Sequence, residues 1–317
     1  MVALSIILPV YNEEDNIAEL HSKITNALIN LGKSYEIIYV DDGSQDRSFE
    51  ILAEIAKVDE RTKVIQFRKN FGQTAAIAAG FDHAQGEILI PMDADLQNDP
   101  EDIPKFLHKI EEGYDVVSGW RKNRKDKWIT RRIPSVLANK LISLVTGVKL
   151  HDYGCTLKAY RKEVIENIKL YGEMHRFIPV YASLAGGKIT EVVVTHHPRR
   201  HGKTKYGLSR TMKVILDLFT VKFFCSYATK PIYAFGGFGA LLGLVGVMVG
   251  AVTIFQKYAY GIWVHKNPLL LLAVFLGILG IQLIMMGLLA EIIMRTYYES
   301  QAKPVYLVKK LINTGRG

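Results

Sequence analysis

The chain has 317 residues, 49% of them hydrophobic, and a formal net charge of +9. That length suits one large domain with an appendage, or two domains. Its two cysteines, Cys155 and Cys225, are too few for a disulfide framework, suit a reducing compartment, and read as unreactive packing residues.

Up to about residue 120 the hydrophobic pattern alternates between two periods. It predicts strands at 4–10, 35–40, 63–68, 87–92 and 115–119, and helices at 14–31, 48–58, 74–83 and 100–112. Such alternation builds a parallel or mostly parallel sheet flanked by helices, an α/β domain. The first strand runs into Pro9-Val10-Tyr11-Asn12-Glu13, an aromatic face with polar groups. No G-x-G-x-x-G follows it and no G-x-x-x-x-G-K-[ST] occurs, which argues against a dehydrogenase or a P-loop enzyme. The second strand ends in Val40-Asp41-Asp42-Gly43-Ser44. There Asp42 could accept hydrogen bonds from ribose hydroxyls or a base N–H, although the same residues also suit a helix-capping turn. The third ends in Arg68-Lys69-Asn70-Phe71-Gly72, which offers further donors. The fourth ends on Asp93-Ala94-Asp95. Two carboxylates one residue apart can share a hard divalent cation whose shell is completed by substrate phosphates. Taken alone, the tripeptide is equally a solvated turn ahead of a helix capped by Asn98-Asp99-Pro100. Four strand ends in succession with ligand-competent groups favour a binding site at the carboxyl edge of the sheet.

Beyond residue 120 the charge becomes uneven. Between Arg121 and Lys140 lie eight Lys/Arg and one acid, and between His196 and Lys213 six Lys/Arg and no acid. Such blocks suit solvated faces, nucleic acid or anionic lipid. Residues 131–148 and 208–227 are amphipathic at helical spacing. The first fits packing on the sheet and the headgroup layer equally, whereas the second, directly before a long apolar run, fits the membrane interface. Residues 231–256 and 267–290 carry no charge. Each is long enough to cross a hydrocarbon core of roughly 30 Å, which needs about 20 apolar residues. Joined by residues 257–266, they predict a transmembrane hairpin, and they make lipid rather than nucleic acid the partner of the basic blocks. Lys222 and Lys230 precede the hairpin, Arg295, Lys303, Lys309, Lys310 and Arg316 follow it, and only Lys257 and Lys266 lie between. The positive-inside rule therefore places both termini in the cytoplasm. The short apolar start lacks a basic leader, which predicts no secretory signal. The run Gly236-Gly237-Phe238-Gly239-Ala240 would let helices pack closely, within one chain or in a homo-oligomer.

Taken together, Pro9-Val10-Tyr11-Asn12-Glu13, Val40-Asp41-Asp42-Gly43-Ser44, Arg68-x-Asn70-x-Gly72 and Asp93-Ala94-Asp95-Leu96-Gln97 resemble the successive motifs of the family 2 inverting glycosyltransferases. The Asp-Ala-Asp-Leu-Gln form resembles the polyprenyl-phosphate branch, which glycosylates dolichol or bactoprenol phosphate. The resemblance covers residues 4–207. It implies a GT-A (Rossmann-like) fold and a nucleotide-sugar donor. It also implies Mg²⁺ or Mn²⁺ held by Asp93, Asp95 and Gln97, with the nucleoside lined by Pro9, Tyr11, Glu13 and Asp42. Arg121, Arg131, Arg132 and Ser135 fall where the family contacts the acceptor phosphate, and Arg199 and Lys205 where it contacts the donor. The doubled arginines, Arg131 with Arg132 and Arg199 with Arg200, leave the register open by one residue. Asp152 falls where the family has an acid near sugar and acceptor, so it is a candidate base or sugar-orienting group, or a structural turn residue. His196, His197 and His201 suit solvated phosphate contacts better than a metal site.

The expected organisation is a cytoplasmic catalytic domain over 1–207 and an interfacial segment over 208–230. Membrane helices at 231–256 and 267–290 would be joined by an extracytoplasmic loop at 257–266 and followed by a cytoplasmic tail at 291–317. The expected reaction moves a hexose, glucose from UDP-glucose foremost, onto a polyprenyl phosphate in the inner membrane. A GDP-mannose-using synthase is the near alternative. More distant ones are a processive polysaccharide synthase, which needs more spans, and a non-catalytic lipid-binding scaffold.

Overall fold

The computed structural model describes residues 2–122, 139–140, 142–144, 146–166, 168, 170, 174–198, 231–300 and 306–314. The chain forms two compact units, Met1–Leu218 with Pro304–Gly317, and Phe219–Lys303.

The first unit is built on one sheet. Its strands are β1 (Leu4–Val10), β2 (Tyr35–Asp41), β3 (Thr62–Phe67), β4 (Ile88–Pro91), β5 (Val116–Trp120), β6 (Lys158–Arg161), β7 (Ile189–Val193) and β8 (Val308–Ile312). They lie in the order β7-β5-β6-β4-β1-β2-β3-β8. The block β3-β2-β1-β4 is parallel throughout, as is β5 with β7, while β6 and β8 run antiparallel to their neighbours. β2 is buried at every position, as a strand covered on both faces must be. The helices α1 (Ile17–Leu31), α2 (Ser48–Val58) and α4 (Ile103–Glu111) send Ile17, Leu20, Leu52 and Phe106 into the core on one face. On the other face α3 (Gln73–His83) contributes Ala75, Ala76, Ala79 and Phe81, joined by Ile178 and Ala182 of the short α6 (Ile178–Leu184) and Ile165 of α5 (Lys162–Ile165). α3 lies so close to the sheet that a Cβ on Gly80 would come within 2.2 Å of Ile7.

The five strands expected before residue 120 are present near their predicted positions. β6, β7 and β8 were not among the expectations. α1 starts at Ile17, later than the expected residue 14, and a 3-10 turn at Pro100–Asp102 precedes α4. Residues 291–317, expected as a tail, instead complete a long helix to Ser300 and then supply β8.

The second unit pairs α7 (Pro231–Tyr260) with α8 (Pro268–Ser300). Phe235–Tyr260 and Pro268–Ala290 are long and apolar enough to cross a membrane. Side chains such as Leu271, Val247 and Phe275 point outward rather than into a core. The helices touch through glycine: a Cβ on Gly239 would lie 2.5 Å from the Gly280 carbonyl oxygen, and one on Gly280 2.6 Å from that of Gly239. The small-residue run thus meets its counterpart within one chain.

Candidate active site

Because β3, β2, β1 and β4 are consecutive neighbours, the four motif-bearing exits lie side by side along one edge. Chain order reverses between β1 and β4, which is where an open α/β sheet leaves a crevice. The exits are stitched together. Asp42 N donates to Val10 O (2.8 Å), Asn12 N to Ser44 Oγ (3.0 Å) and Gln45 N to Asn12 Oδ1 (2.8 Å). Gly43 has φ 70°, and a Cβ there would sit 2.6 Å from the Lys69 carbonyl carbon, so only glycine lets the β2 and β3 exits approach. Asp42 does not cap α2. Its carboxylate accepts from the backbone N–H groups of Phe71 (2.6 Å) and Gly72 (2.9 Å), gripping the β3 exit. Burial pushes this carboxyl up to about 6, against the pull of those two donors. Pro9 lies within β1 opposite Val40, Tyr11 follows the strand, and Asn16 Nδ2 donates to Glu13 Oε2 (2.6 Å).

Asp93 follows β4 and its Oδ1 accepts from Gln73 Nε2 (2.8 Å), the first residue of α3. Burial, and then the charge of Asp95, push the Asp93 carboxyl upward, while a hydrogen bond with Thr156 pulls it down. Asp95 is buried, Gln97 N donates to its Oδ1 (3.2 Å), and Leu96 adopts φ 59° to make the turn. A carboxylate that burial and its neighbour's charge make costly to ionise, with a second carboxylate two residues on, fits a divalent cation, which would offset both effects on Asp93. Among the described residues no group of three or more His, Cys, Asp and Glu could hold a metal; Mg²⁺ typically takes one or two carboxylates and completes its shell with water and substrate phosphates. Gln97 turns its amide nitrogen toward the His197 carbonyl oxygen (3.4 Å). His196 and His197 brace the loop after β4: His196 Nδ1 lies 3.2 Å from Gln97 O, and His197 Nε2 2.9 Å from Asp99 Oδ2.

β6 runs antiparallel between β4 and β5, so its start lies at the edge where β4 and β5 end. That brings the loop 152–156 beside Arg121, directly after β5, and beside Asp93. Arg121 Nε donates to Asp152 Oδ2 (2.7 Å) and its Nη2 to Asp152 Oδ1 (2.9 Å), a bidentate pair with both side chains largely buried. Burial alone would lower the Arg121 pKa, but the hydrogen bonds and charge of Asp152 outweigh it and raise it. Gly154 N also donates to Asp152 Oδ1 (3.1 Å). Lys158 is buried behind this corner, with its ammonium on the Cys155 and Tyr153 carbonyl oxygens. Burial pushes the Cys155 thiol up to about 11, in keeping with a packing role. Thr74 Oγ1, beside Gln73, lies 2.8 Å from His175 Nδ1.

The structure thus brings together Pro9, Tyr11, Glu13, Asp42, Asp93, Asp95, Arg121 and Asp152 along one edge, with Gln97 turned toward the β7 exit. Arg131, Arg132, Ser135, Arg199, Lys205 and His201 lie outside the described residues. Gln73, Thr156 and Lys158 escaped the sequence reading; no motif marks them, because their roles follow from which strands adjoin.

Residues 5–169 match the model of the family described as Glycosyl transferase family 2. The chain is 43% identical over 314 residues to a dodecaprenyl-phosphate galacturonate synthase of Rhizobium johnstonii, covering 98% of this chain and 93% of that protein. It is 39% identical over 315 residues to an undecaprenyl-phosphate 4-deoxy-4-formamido-L-arabinose transferase of Edwardsiella ictaluri, covering 99% and 95%. Among solved structures, glucosyl-3-phosphoglycerate synthase of Mycobacterium tuberculosis with Mn²⁺, UDP and phosphoglyceric acid superposes with TM-score 0.54, at 19% identity, over 71% of this chain and 79% of that one. The same enzyme with Mg²⁺ and UDP gives TM-score 0.53 at 20% identity, over 69% and 79%. These two likenesses are of fold.

Proposed function

The chain belongs to glycosyl transferase family 2, with the GT-A fold of its polyprenyl-phosphate branch, and on that premise we propose that it moves one sugar from a UDP-sugar to a polyprenyl phosphate with inversion. The observation that carries the proposal is the convergence of Asp42, Asp93 with Asp95, and the Arg121–Asp152 pair on one edge of one sheet. Asp42, with Pro9, Tyr11 and Glu13, would hold the nucleoside. Asp93 and Asp95 would hold Mg²⁺ or Mn²⁺, which when bound neutralises charge on the departing diphosphate. Arg121, with Arg131, Arg132 and Ser135, would orient the acceptor phosphate, and Arg199 and Lys205 the donor.

The acceptor needs little help to react. A phosphate monoester has a second pKa near ~6 and is largely dianionic at neutral pH. Its oxygen attacks the anomeric carbon, the new C–O bond forms, and the nucleoside diphosphate leaves with the electron pair. No proton need be removed, so orientation and charge are what the protein supplies. Asp152 therefore acts as the partner that holds Arg121: two parallel N–H···O bonds fix the guanidinium, and its remaining N–H groups are left for phosphate oxygens.

The relatives carry galacturonate and a formamido-arabinose in their names, so a substituted or acidic sugar stands ahead of plain glucose as the cargo. UDP in the solved neighbours favours uridine over the guanosine of GDP-mannose. The apolar helices tether the enzyme to the bilayer that holds its acceptor. β8 follows those helices in sequence yet shares a sheet with β1, which supports both hairpin flanks lying on one side, and the basic flanks make that side cytoplasmic. The test is a donor panel on the purified full chain with a short polyprenyl phosphate and Mn²⁺. UDP-galacturonate, UDP-glucose, the UDP-formamido-arabinose and GDP-mannose are compared by mass spectrometry of the lipid product. Transfer from one UDP-sugar is expected, and transfer from GDP-mannose alone would overturn the uridine assignment.

A further inference from the structure

β8 is more than an added edge. The ladder it makes with β3 continues where Arg68 N donates to Leu307 O (3.1 Å), at the start of the loop that grips Asp42. Just ahead of β8, Tyr306 is 6% exposed. Its ring stacks on Phe67, with centroids 5.1 Å apart and planes at 17°, and its hydroxyl donates to Asp82 Oδ2 (2.9 Å) near the end of α3. Phe67 in turn meets Phe71 edge-on, at 5.7 Å and 89°. Phe71 N and the next residue's N–H are the two donors on the Asp42 carboxylate, and Gln73, which follows, holds Asp93. Tyr306 therefore holds the β3–α3 segment at two points: Phe67, and through it Phe71, before the helix, and Asp82 in the helix's last turn.

We propose that Tyr306 is a positioning residue for the nucleotide-sugar site, setting the place of the 68–73 loop and through it the orientation of Asp42. This rests on Asp42 lining the nucleoside pocket, as proposed above. Stacked and edge-on aromatic rings lock one another's geometry. In a close-packed interior, removal of one ring leaves a cavity into which its neighbours relax in part. Here the neighbour is Phe67, and Phe71, which packs edge-on against Phe67, carries one of the N–H groups that hold Asp42. A tyrosine that merely filled the sheet edge would affect stability alone. A tyrosine that sets the loop affects donor binding selectively.

The experiment is a double-mutant cycle on the full chain in detergent, reading UDP binding by calorimetry and the KM values of donor and polyprenyl phosphate. Tyr306→Ala is expected to weaken UDP and raise donor KM about tenfold, with kcat and acceptor KM within about twofold, and Tyr306→Phe is expected to restore most of the loss. In an Asp42→Asn background, Tyr306→Ala should add less than about twofold, because its effect passes through Asp42. An equal effect in both backgrounds, or a uniform fall in kcat and both affinities together with a lower melting temperature, would overturn the proposal. If Tyr306→Ala does not accumulate as folded protein, Tyr306→Leu, which keeps apolar volume but not the stack, decides by the same cycle. Wild-type protein that binds neither UDP nor GDP overturns the nucleotide site and Tyr306's role with it. Wild-type binding that the variants leave unchanged overturns Tyr306's role alone.

Discussion

Substituting Asp152→Asn separates an orienting role from a base. The pair it breaks is short at both ends, 2.7 and 2.9 Å, with 14% of the Arg121 side chain and 9% of the Asp152 side chain exposed. Asparagine keeps one acceptor oxygen, turns an NH₂ toward the guanidinium, and leaves the Arg121 charge unmatched. One lost hydrogen bond to a charged group is worth about 1.5–3 kcal/mol. If that loss appears as misplacement of the acceptor phosphate, kcat/KM falls about 10- to 150-fold, at about 1.4 kcal/mol per tenfold. Stability also falls, by up to about 3–5 kcal/mol, because a largely buried charge loses its partner. The assay is initial rates at saturating donor with polyprenyl phosphate varied between pH 6 and 8.5, alongside thermal unfolding. The expected result is a raised acceptor KM, a modest change in kcat, and a pH profile of unchanged shape, since the acceptor's own ionisation near ~6 still governs it. A general base behaves differently: its removal costs about 10²–10⁴ in kcat and erases its limb of the profile. A kcat collapse of that size with acceptor KM unmoved would refute the orienting role.

Gln73→Leu removes the donor to Asp93 and should shift the Mn²⁺ concentration for half-maximal activity upward by about tenfold, in line with about 1.5 kcal/mol for a bond to a charged group; an unmoved metal requirement would count against Asp93 as a ligand. Asp42 has a folded pKa raised from 3.8 to about 6, so its contribution to stability is fullest in acid and is lost as pH rises through that window. In the proposed nucleoside site its ionised form would be the acceptor, so affinity for a UDP-sugar, whose diphosphate does not titrate there, should fall as pH drops below about 6, and Asp42→Asn should abolish that titration. Gly43→Ala forces a side chain into φ 70° and against Lys69, which should lower stability by about 2 kcal/mol or more in denaturant unfolding; a neutral result would mean the β2 and β3 exits are not packed as described.

The parallel block was legible because buried parallel strands are near-continuous apolar runs: Ile6-Ile7-Leu8 and Ile37-Ile38-Tyr39-Val40, closed by turn residues, read as strands. β6, β7 and β8 were not. They are four or five residues long, β6 begins and ends on Lys158 and Arg161, β7 is only half buried, and β8 carries Lys309 and Lys310. β7 and β8 form the two edges of the finished sheet and β6 fills the place between β4 and β5, positions set by the assembled sheet rather than by each segment's own pattern. The same limit applied to the site. Asp42 and Asp93 stood out because each closes an apolar run. The partner of Arg121 could be assigned only once β6 was known to run antiparallel beside β5. Asp42 illustrates a third case: a capping turn and a ligand contact were both open, and the folded carboxylate, which does not cap α2, holds two backbone N–H groups of a neighbouring exit that no spacing in the chain announces.

Transfer to a lipid phosphate is decided by offering the purified chain, with Mn²⁺ and the accepted UDP-sugar, three acceptors in parallel: short polyprenyl phosphate, the matching polyprenol, and a soluble alkyl phosphate. UDP released and glycolipid formed are quantified together. One UDP per molecule of polyprenyl-phosphate sugar, lost in Asp95→Asn and absent with the polyprenol, is the predicted result. Sugar transfer to the polyprenol at a comparable rate, or UDP release with no lipid-linked sugar, would contradict it.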